Sequence, residues 1–270
     1  MLKVLLLTVL LFVLSSVDFL NLRLASGVQA APAIVLLVAF LHVSVLSYPI
    51  IRSRWHGWRL ISAIFLLFYG VMYLMTAVEA VYLPEILKPQ IVLSLLVNGA
   101  ISAAVFSICA VWVYGRMKAV DAGQEPNQRL VMPWTQWVWR LALIAIIYVF
   151  LYILFGGAIF MPIAAALDPK GLAEASALSL PSWIIPFQAA RGLMWAVLAL
   201  PIIRMMKGRL WEAGLAVALS FAVVMGADQL LSMDMSAGLR FAHIVEIFGE
   251  NFALGWMIVW LLYRRNGSHR

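Results

Sequence analysis

The sequence has little charge and almost no cysteine. Only 11% of its 270 residues are Asp, Glu, Lys or Arg, whereas about a quarter are charged in a typical soluble domain. The single cysteine, Cys109, excludes an internal disulfide, a CxxC redox pair and a thiolate metal cluster. No GxSxG, P-loop, HExxH or dinucleotide glycine pattern occurs. No motif therefore names a reaction, and we expect no bound cofactor.

Apolar residues dominate instead, at 65% of the chain with a mean hydropathy of +1.00. A helix needs about 20 mostly apolar residues to cross a bilayer. Eight such stretches occur, at residues 3–20, 32–51, 60–82, 91–114, 140–163, 183–203, 210–231 and 241–263. We expect an all-α, polytopic bundle of eight spans. The first stretch is expected to be an uncleaved helix, because the cleavage-like VQA at 28–30 lies too far beyond it.

The positive charges are unevenly distributed between the two sides of an eight-span chain. Fourteen of the 19 Lys and Arg residues fall on the side that contains both termini. The positive-inside rule then predicts a protein of the cytoplasmic (inner) membrane with both termini in the cytoplasm. Basic charge of this kind indicates orientation and contact with anionic membrane lipids rather than binding of nucleic acid.

The longest polar interval divides the chain into a first half at 1–118, a cytoplasmic linker at 119–139 and a second half at 140–270. YPIIR at 48–52 ends the second span, and LPIIR at 200–204 ends the sixth, 152 residues later. One interpretation is an internal duplication that gives two parallel four-helix repeats. The alternative is that membrane helices commonly end with Pro and a basic residue at the interface.

The polar residues within the spans concentrate in the outer half of the bilayer. Positions 240, 243, 246 and 250 are spaced by three or four residues, so they form one stripe along the last helix. Charged groups at this depth are costly and should face the bundle interior or a wet cavity. The candidate ligand-binding residues are Glu79, Asn98, Gln188, Arg191, Asp228, His243, Glu246 and Glu250.

Arg191 is the expected counter-ion of this group, because its guanidinium can hold a carboxylate with two hydrogen bonds. One arginine does not balance Glu79, Glu246 and Glu250, so at least one of the three is expected to be protonated. A structural ion pair is the alternative for Arg191, and a solvated or capping residue is the alternative for His243. A metal site is weakly indicated, since there is one nearby histidine and no second His/Glu motif.

Three functions fit this pattern. The first is a carrier or flippase with an outward-facing cavity that binds a polar or amphipathic, anionic ligand at Arg191 and couples its cycle to protons through a glutamate. The second is an intramembrane enzyme that uses carboxylate acid–base chemistry on a lipid or isoprenoid. The third is a non-catalytic subunit whose charges pair with a partner protein.

Overall fold

The computed structural model describes residues 1–17, 30–81, 89–118, 130–176, 181–232 and 235–263. These ranges form helices and no strand. The helices are α1 Leu2–Ser16, α2 Pro32–Ile51, α3 Gly57–Glu79, α4 Pro89–Val113, α5 Trp134–Leu167, α6 Pro169–Ser176, α7 Ile184–Met205, α8 Leu210–Leu231 and α9 Ala237–Leu262. The predicted all-α polytopic bundle is confirmed.

Seven of the described helices are long and apolar enough to cross a membrane, which is one fewer than the sequence predicts. The predicted span that falls short is the first one, because α1 has only 15 residues. At about 1.5 Å per residue such a helix is roughly 22 Å long, whereas the hydrocarbon core is about 30 Å thick. Residues 18–29, where the predicted first span ends, lie outside the described residues.

Helix α5 begins earlier than predicted. It starts at Trp134 with Pro133 as its N-cap, so residues 134–139 belong to the helix rather than to the linker. A proline that precedes a run of apolar residues favours helix initiation there, because the first turn needs no N–H from it. The rest of the linker up to residue 129 lies outside the described residues.

The helices differ in how far they are covered by the others. Helix α8 is the most buried span and packs mainly against α9 and α2. Helix α5 is the least buried, and Ile146, Phe150 and Ile153 leave its apolar outer face uncovered. A face of this kind suits contact with lipid chains.

One end of the bundle, which we call the basic end, is defined by Lys3, Arg52, Arg54, Arg116 and Lys207. The Arg54 amide donates to the Met205 carbonyl at 2.7 Å, and the Lys207 amide donates to the Arg52 carbonyl at 2.8 Å. Arg52 forms an ion pair with Glu212, Arg116 donates to the Ser53 carbonyl, and the Lys3 ammonium lies 5.5 Å from the Tyr114 ring centre. Of the basic residues predicted for this side, Arg129, Arg264, Arg265 and Arg270 lie outside the described residues.

Candidate functional site

The candidate site lies away from the basic end, and three helices contribute to it. Helix α3 starts at the basic end and reaches Glu79 after 23 residues, a rise of roughly 33 Å. Helix α7 ends at the basic end, and its residue Arg191 precedes that end by about 21 Å. Helix α9 supplies His243 and Glu246 from its first half and Glu250 from its middle.

Arg191 is held by two side chains. Its Nη2 donates to Glu79 Oε1 at 2.5 Å, and its Nη1 donates to Gln188 Oε1 at 3.0 Å. The guanidinium carbon also lies 5.9 Å from the Tyr148 ring centre. Arg191 is only 4% exposed and Gln188 is fully buried. The predicted pairing of Arg191 with an intramembrane carboxylate is therefore present, and the partner is Glu79.

The acidic stripe of α9 runs from a half-exposed residue to a buried one. His243 Nδ1 lies 2.9 Å from Glu246 Oε2, and their side chains are 31% and 13% exposed. Glu250, one turn deeper, is 7% exposed and interacts electrostatically with Glu246, Arg191 and Glu79. Polar side chains of decreasing exposure therefore lead from the N-terminal end of α9 towards Arg191.

Arg240, the first member of the predicted stripe, is used differently. Its Nη1 donates to the Ser232 carbonyl at 3.2 Å, in the turn between α8 and α9. A guanidinium near a helix start reaches a free backbone carbonyl of the preceding turn more easily than a carboxylate two turns away. Arg240 thus ties the two helices together at their junction.

Helix α5 completes the surroundings of the stripe, and the sequence reasoning missed this contribution. Its residues Gly156–Phe160 form a π-helical turn, and a Cβ placed on Gly156 would lie 3.6 Å from Glu246 Oε1. Tyr152 lies near Gln188 and Glu246. Turns of this type occur often at functional sites. The tyrosines of an apolar span were an available signal, because a buried hydroxyl needs a polar neighbour.

Asn98 and Asp228 were predicted as members of the same site, and the structure pairs them with other residues. The Asn98 amide donates to Ser94 Oγ at 3.1 Å within α4. Asp228 lies close enough to Tyr73 of α3 to interact with it electrostatically. We therefore define the polar cluster as Glu79, Gln188, Arg191, His243, Glu246 and Glu250.

Two cavities lie away from the polar cluster. One of about 790 Å³ is lined by Gly208, Arg209, Leu210, Trp211 and Tyr263. A second of about 340 Å³ is lined by Leu2, Lys3, Leu6, Trp112 and Val113. Both are at the basic end and neither includes a residue of the polar cluster. In the described part of the chain, no group of three His, Cys, Asp or Glu side chains is arranged to hold a metal ion.

Comparison with protein-family models, curated proteins and solved structures finds no match to this chain. The chemistry of the site thus rests on its own geometry. Glu79 pairs with the buried guanidinium, and Glu250 lies close enough to interact electrostatically with Arg191, Glu79 and Glu246. Such a group can exchange protons, and it can exchange one carboxylate for another on the arginine.

Proposed function

We propose that the protein is a proton-coupled membrane carrier for a polar or amphipathic anion. One observation carries the proposal: Arg191 of α7 pairs with Glu79 of α3, with two further carboxyl groups beside it. This pair joins one helix of each half of the chain. A ligand anion that enters from the exposed end of the stripe meets a cation already engaged by Glu79.

Exchange on the arginine accounts for proton coupling. When Glu79 takes up a proton, its carboxyl group becomes neutral and releases Arg191, and the ligand anion takes its place on the guanidinium. One proton and one anion enter together, so the total charge of the polar cluster is unchanged. A change in its charge would be costly beside Arg191, which is only 4% exposed. Glu246 and Glu250 would pass the proton along the stripe.

Binding of n-octanesulfonate, an anion whose charge is constant near neutral pH, tests this exchange. Wild-type protein in nanodiscs should bind the sulfonate more tightly at about pH 6 than at about pH 8, because Glu79 must first be protonated. Glu79→Gln imitates the protonated carboxyl group, so its affinity should be high and nearly independent of pH. Arg191→Gln should abolish binding. Isothermal titration calorimetry measures all three affinities.

Glu212→Gln is the matched control, since it removes a carboxylate that also pairs with an arginine but at the basic end. It should leave sulfonate affinity and its pH dependence unchanged. The carrier proposal fails if Glu79→Gln binds no more tightly than wild type and Arg191→Gln still binds.

The second candidate is an intramembrane enzyme acting on a lipid. It is favoured by the 2.9 Å contact between His243 and Glu246, since a carboxylate that orients an imidazole is a common acid–base arrangement. Mass spectrometry of a lipid extract incubated with the reconstituted protein distinguishes it. An enzyme should yield a new lipid species that is lost in His243→Gln, whereas a carrier should leave the lipids unaltered.

We also infer that the basic end faces the cytoplasm, from the positive-inside rule. Lys170 of α6 and Lys207 are both exposed, and α6 lies beyond the outer end of α5. In a Cys109→Ser background, Lys170→Cys should react with an impermeant maleimide in intact cells. Lys207→Cys should react only after permeabilisation, and the reverse pattern would invert the proposed orientation.

A further inference from the structure

The two halves of the chain meet at the basic end through a symmetric pair of hydrogen bonds. Ser53 and Met206 form an isolated antiparallel bridge. Beside it, the Arg54 amide donates to Met205, and the Lys207 amide donates to Arg52. Adding 153 to each residue number of the first half converts one of these bonds into the other. Every antiparallel bridge has a local two-fold axis, and here it exchanges residues 52–54 of the first half with residues 205–207 of the second.

The same shift of 153 relates the helices on either side of the bridge. Helix α3 starts at Gly57 and α8 starts at Leu210. His42 packs against Phe68 with ring centres 5.8 Å apart, and their counterparts Trp195 and Phe221 pack with ring centres 4.6 Å apart. The sequence PIIR repeats with an offset of 152 residues instead. This offset differs by one residue from the structural offset of 153, so the repeated sequence does not by itself reveal which residues correspond.

Helices α4 and α9 correspond with a shift of 148, since α4 starts at Pro89 and α9 at Ala237. Residues at corresponding positions of the two helices are buried to the same extent. Trp112 is 69% exposed and Trp260 is 65% exposed, whereas Val111 and Val259 beside them are fully buried. Matching faces imply that the two helices occupy matching places in the two halves.

We propose that the chain is two copies of one four-helix unit related by a two-fold axis perpendicular to the membrane, and that Asn98 and Ser102 form the first-half counterpart of Glu246 and Glu250. The burial agrees: Asn98 and Glu246 are half-buried, and Ser102 and Glu250 are buried. An axis along the membrane normal keeps counterparts at equal depth. Asn98 and Ser102 therefore make a second, uncharged polar site in the first half.

The two sites differ in charge for a reason visible in α2. The counterpart of Arg191 is Val38, which is equally buried at 3% exposure. With no guanidinium at that level, carboxylates would have no counter-ion, and neutral side chains avoid the cost of burying charge. The second site would hold a hydroxyl, an amide or water. This assignment of a ligand rests on the proposed carrier function, whereas the duplication does not.

Spin-label distances test the duplication in the full chain. In a Cys109→Ser background, the exposed pair Ile51→Cys/Trp112→Cys has the counterpart Arg204→Cys/Trp260→Cys. Double electron–electron resonance in nanodiscs should give overlapping distance distributions for these two pairs. The cross pairs, Ile51→Cys/Trp260→Cys and Arg204→Cys/Trp112→Cys, should also overlap with each other. If the two distance distributions fail to overlap in either comparison, the duplication is overturned.

Thiol accessibility tests the second site. Asn98→Cys should react with an impermeant maleimide from the same side as Glu246→Cys, and the deeper Ser102→Cys and Glu250→Cys should both react more slowly. Ile108→Cys, on the outer apolar face of α4, is the control and should not react, because a thiol ionises only in contact with water. No reaction at Asn98→Cys, or reaction from the opposite side, would exclude the second site. Neither readout depends on sulfonate binding, so failure of the carrier proposal is distinguishable.

Discussion

Among the residues that the structure describes, two arginine–glutamate pairs connect the halves of the molecule, and their arginines differ in exposure to water. Arg191 and Glu79 meet in the polar cluster, where the arginine side chain is 4% exposed. Arg52 and Glu212 meet at the basic end, where the arginine side chain is 42% exposed. The ion-pairing groups are the same, but the arginines differ in their access to water, and Glu212 also accepts a hydrogen bond from the Arg209 amide at the start of α8.

Desolvation decides what each pair can do. Breaking a buried pair leaves an uncompensated charge and typically costs about 3–5 kcal/mol, whereas exposed pairs contribute about 0–1 kcal/mol. A buried pair can therefore drive a conformational change when one partner is protonated. An exposed pair can be broken with little consequence, which suits a fixed contact at a helix end.

The largest effect is expected from Arg191→Gln. It leaves Glu79, Glu246 and Glu250 without a counter-ion in a buried space, so we expect a loss of about 3–5 kcal/mol in stability. Thermal unfolding in a neutral detergent measures it. The double variant Arg191→Gln/Glu79→Gln removes both members of the pair and should be more stable than Arg191→Gln alone. Additive losses would show that the two side chains are not coupled.

A smaller effect is expected when the helices around the polar cluster are forced apart. A Cβ on Gly249 would lie 2.4 Å from the Phe155 ring, so Gly249→Ala should move α9 away from α5 at a cost of about 1–3 kcal/mol. Gly157→Ala is the control, since its Cβ meets nothing within 4 Å. Equal melting temperatures for the two variants would contradict the close approach of α5 and α9.

The salt dependence of stability should distinguish the two pairs. Glu212→Gln removes an ion pair whose arginine is 42% exposed, and the neutral side chain leaves that arginine in contact with water, so we expect a loss of stability well below that of Arg191→Gln. Raising the salt concentration should reduce the difference between wild type and Glu212→Gln, because exposed charges are screened. The difference between wild type and Arg191→Gln should persist at high salt. Similar salt dependence of both differences would mean that the buried pair is in contact with solvent.

The smallest expected effect concerns His56, at the basic end. Partial burial and the nearby charges of Arg116 and Lys207 lower the pKa of His56 below its ordinary value of 6.5. The unfolded chain therefore binds this proton more readily than the folded one, and stability should fall as the pH is lowered through about 6.5. His56→Gln should reduce this part of the acid sensitivity. Melting curves of both proteins from about pH 8 to about pH 5 give the difference, and parallel curves would contradict it.

The sequence was informative about the polar cluster wherever spacing along one helix mattered. The three- and four-residue spacing predicted the shared stripe of His243, Glu246 and Glu250, and charge balance predicted a carboxylate partner for Arg191. Asn98 and Asp228 were assigned to the site by depth alone. Depth does not give the direction in which a residue faces around the bundle, so it could not predict the neighbours Ser94 and Tyr73 that the structure shows for them.

Composition and periodicity by themselves determined that this chain is a membrane-spanning helix bundle with its basic residues at one end, because each helix must satisfy its own backbone and bury apolar length. Only the tertiary structure decided that Glu79 is the partner of Arg191, that a π-helical turn of α5 lies beside Glu246, and that Ser53 and Met206 form an antiparallel bridge. These contacts join residues far apart in sequence, and their energies depend on how completely neighbouring helices exclude water.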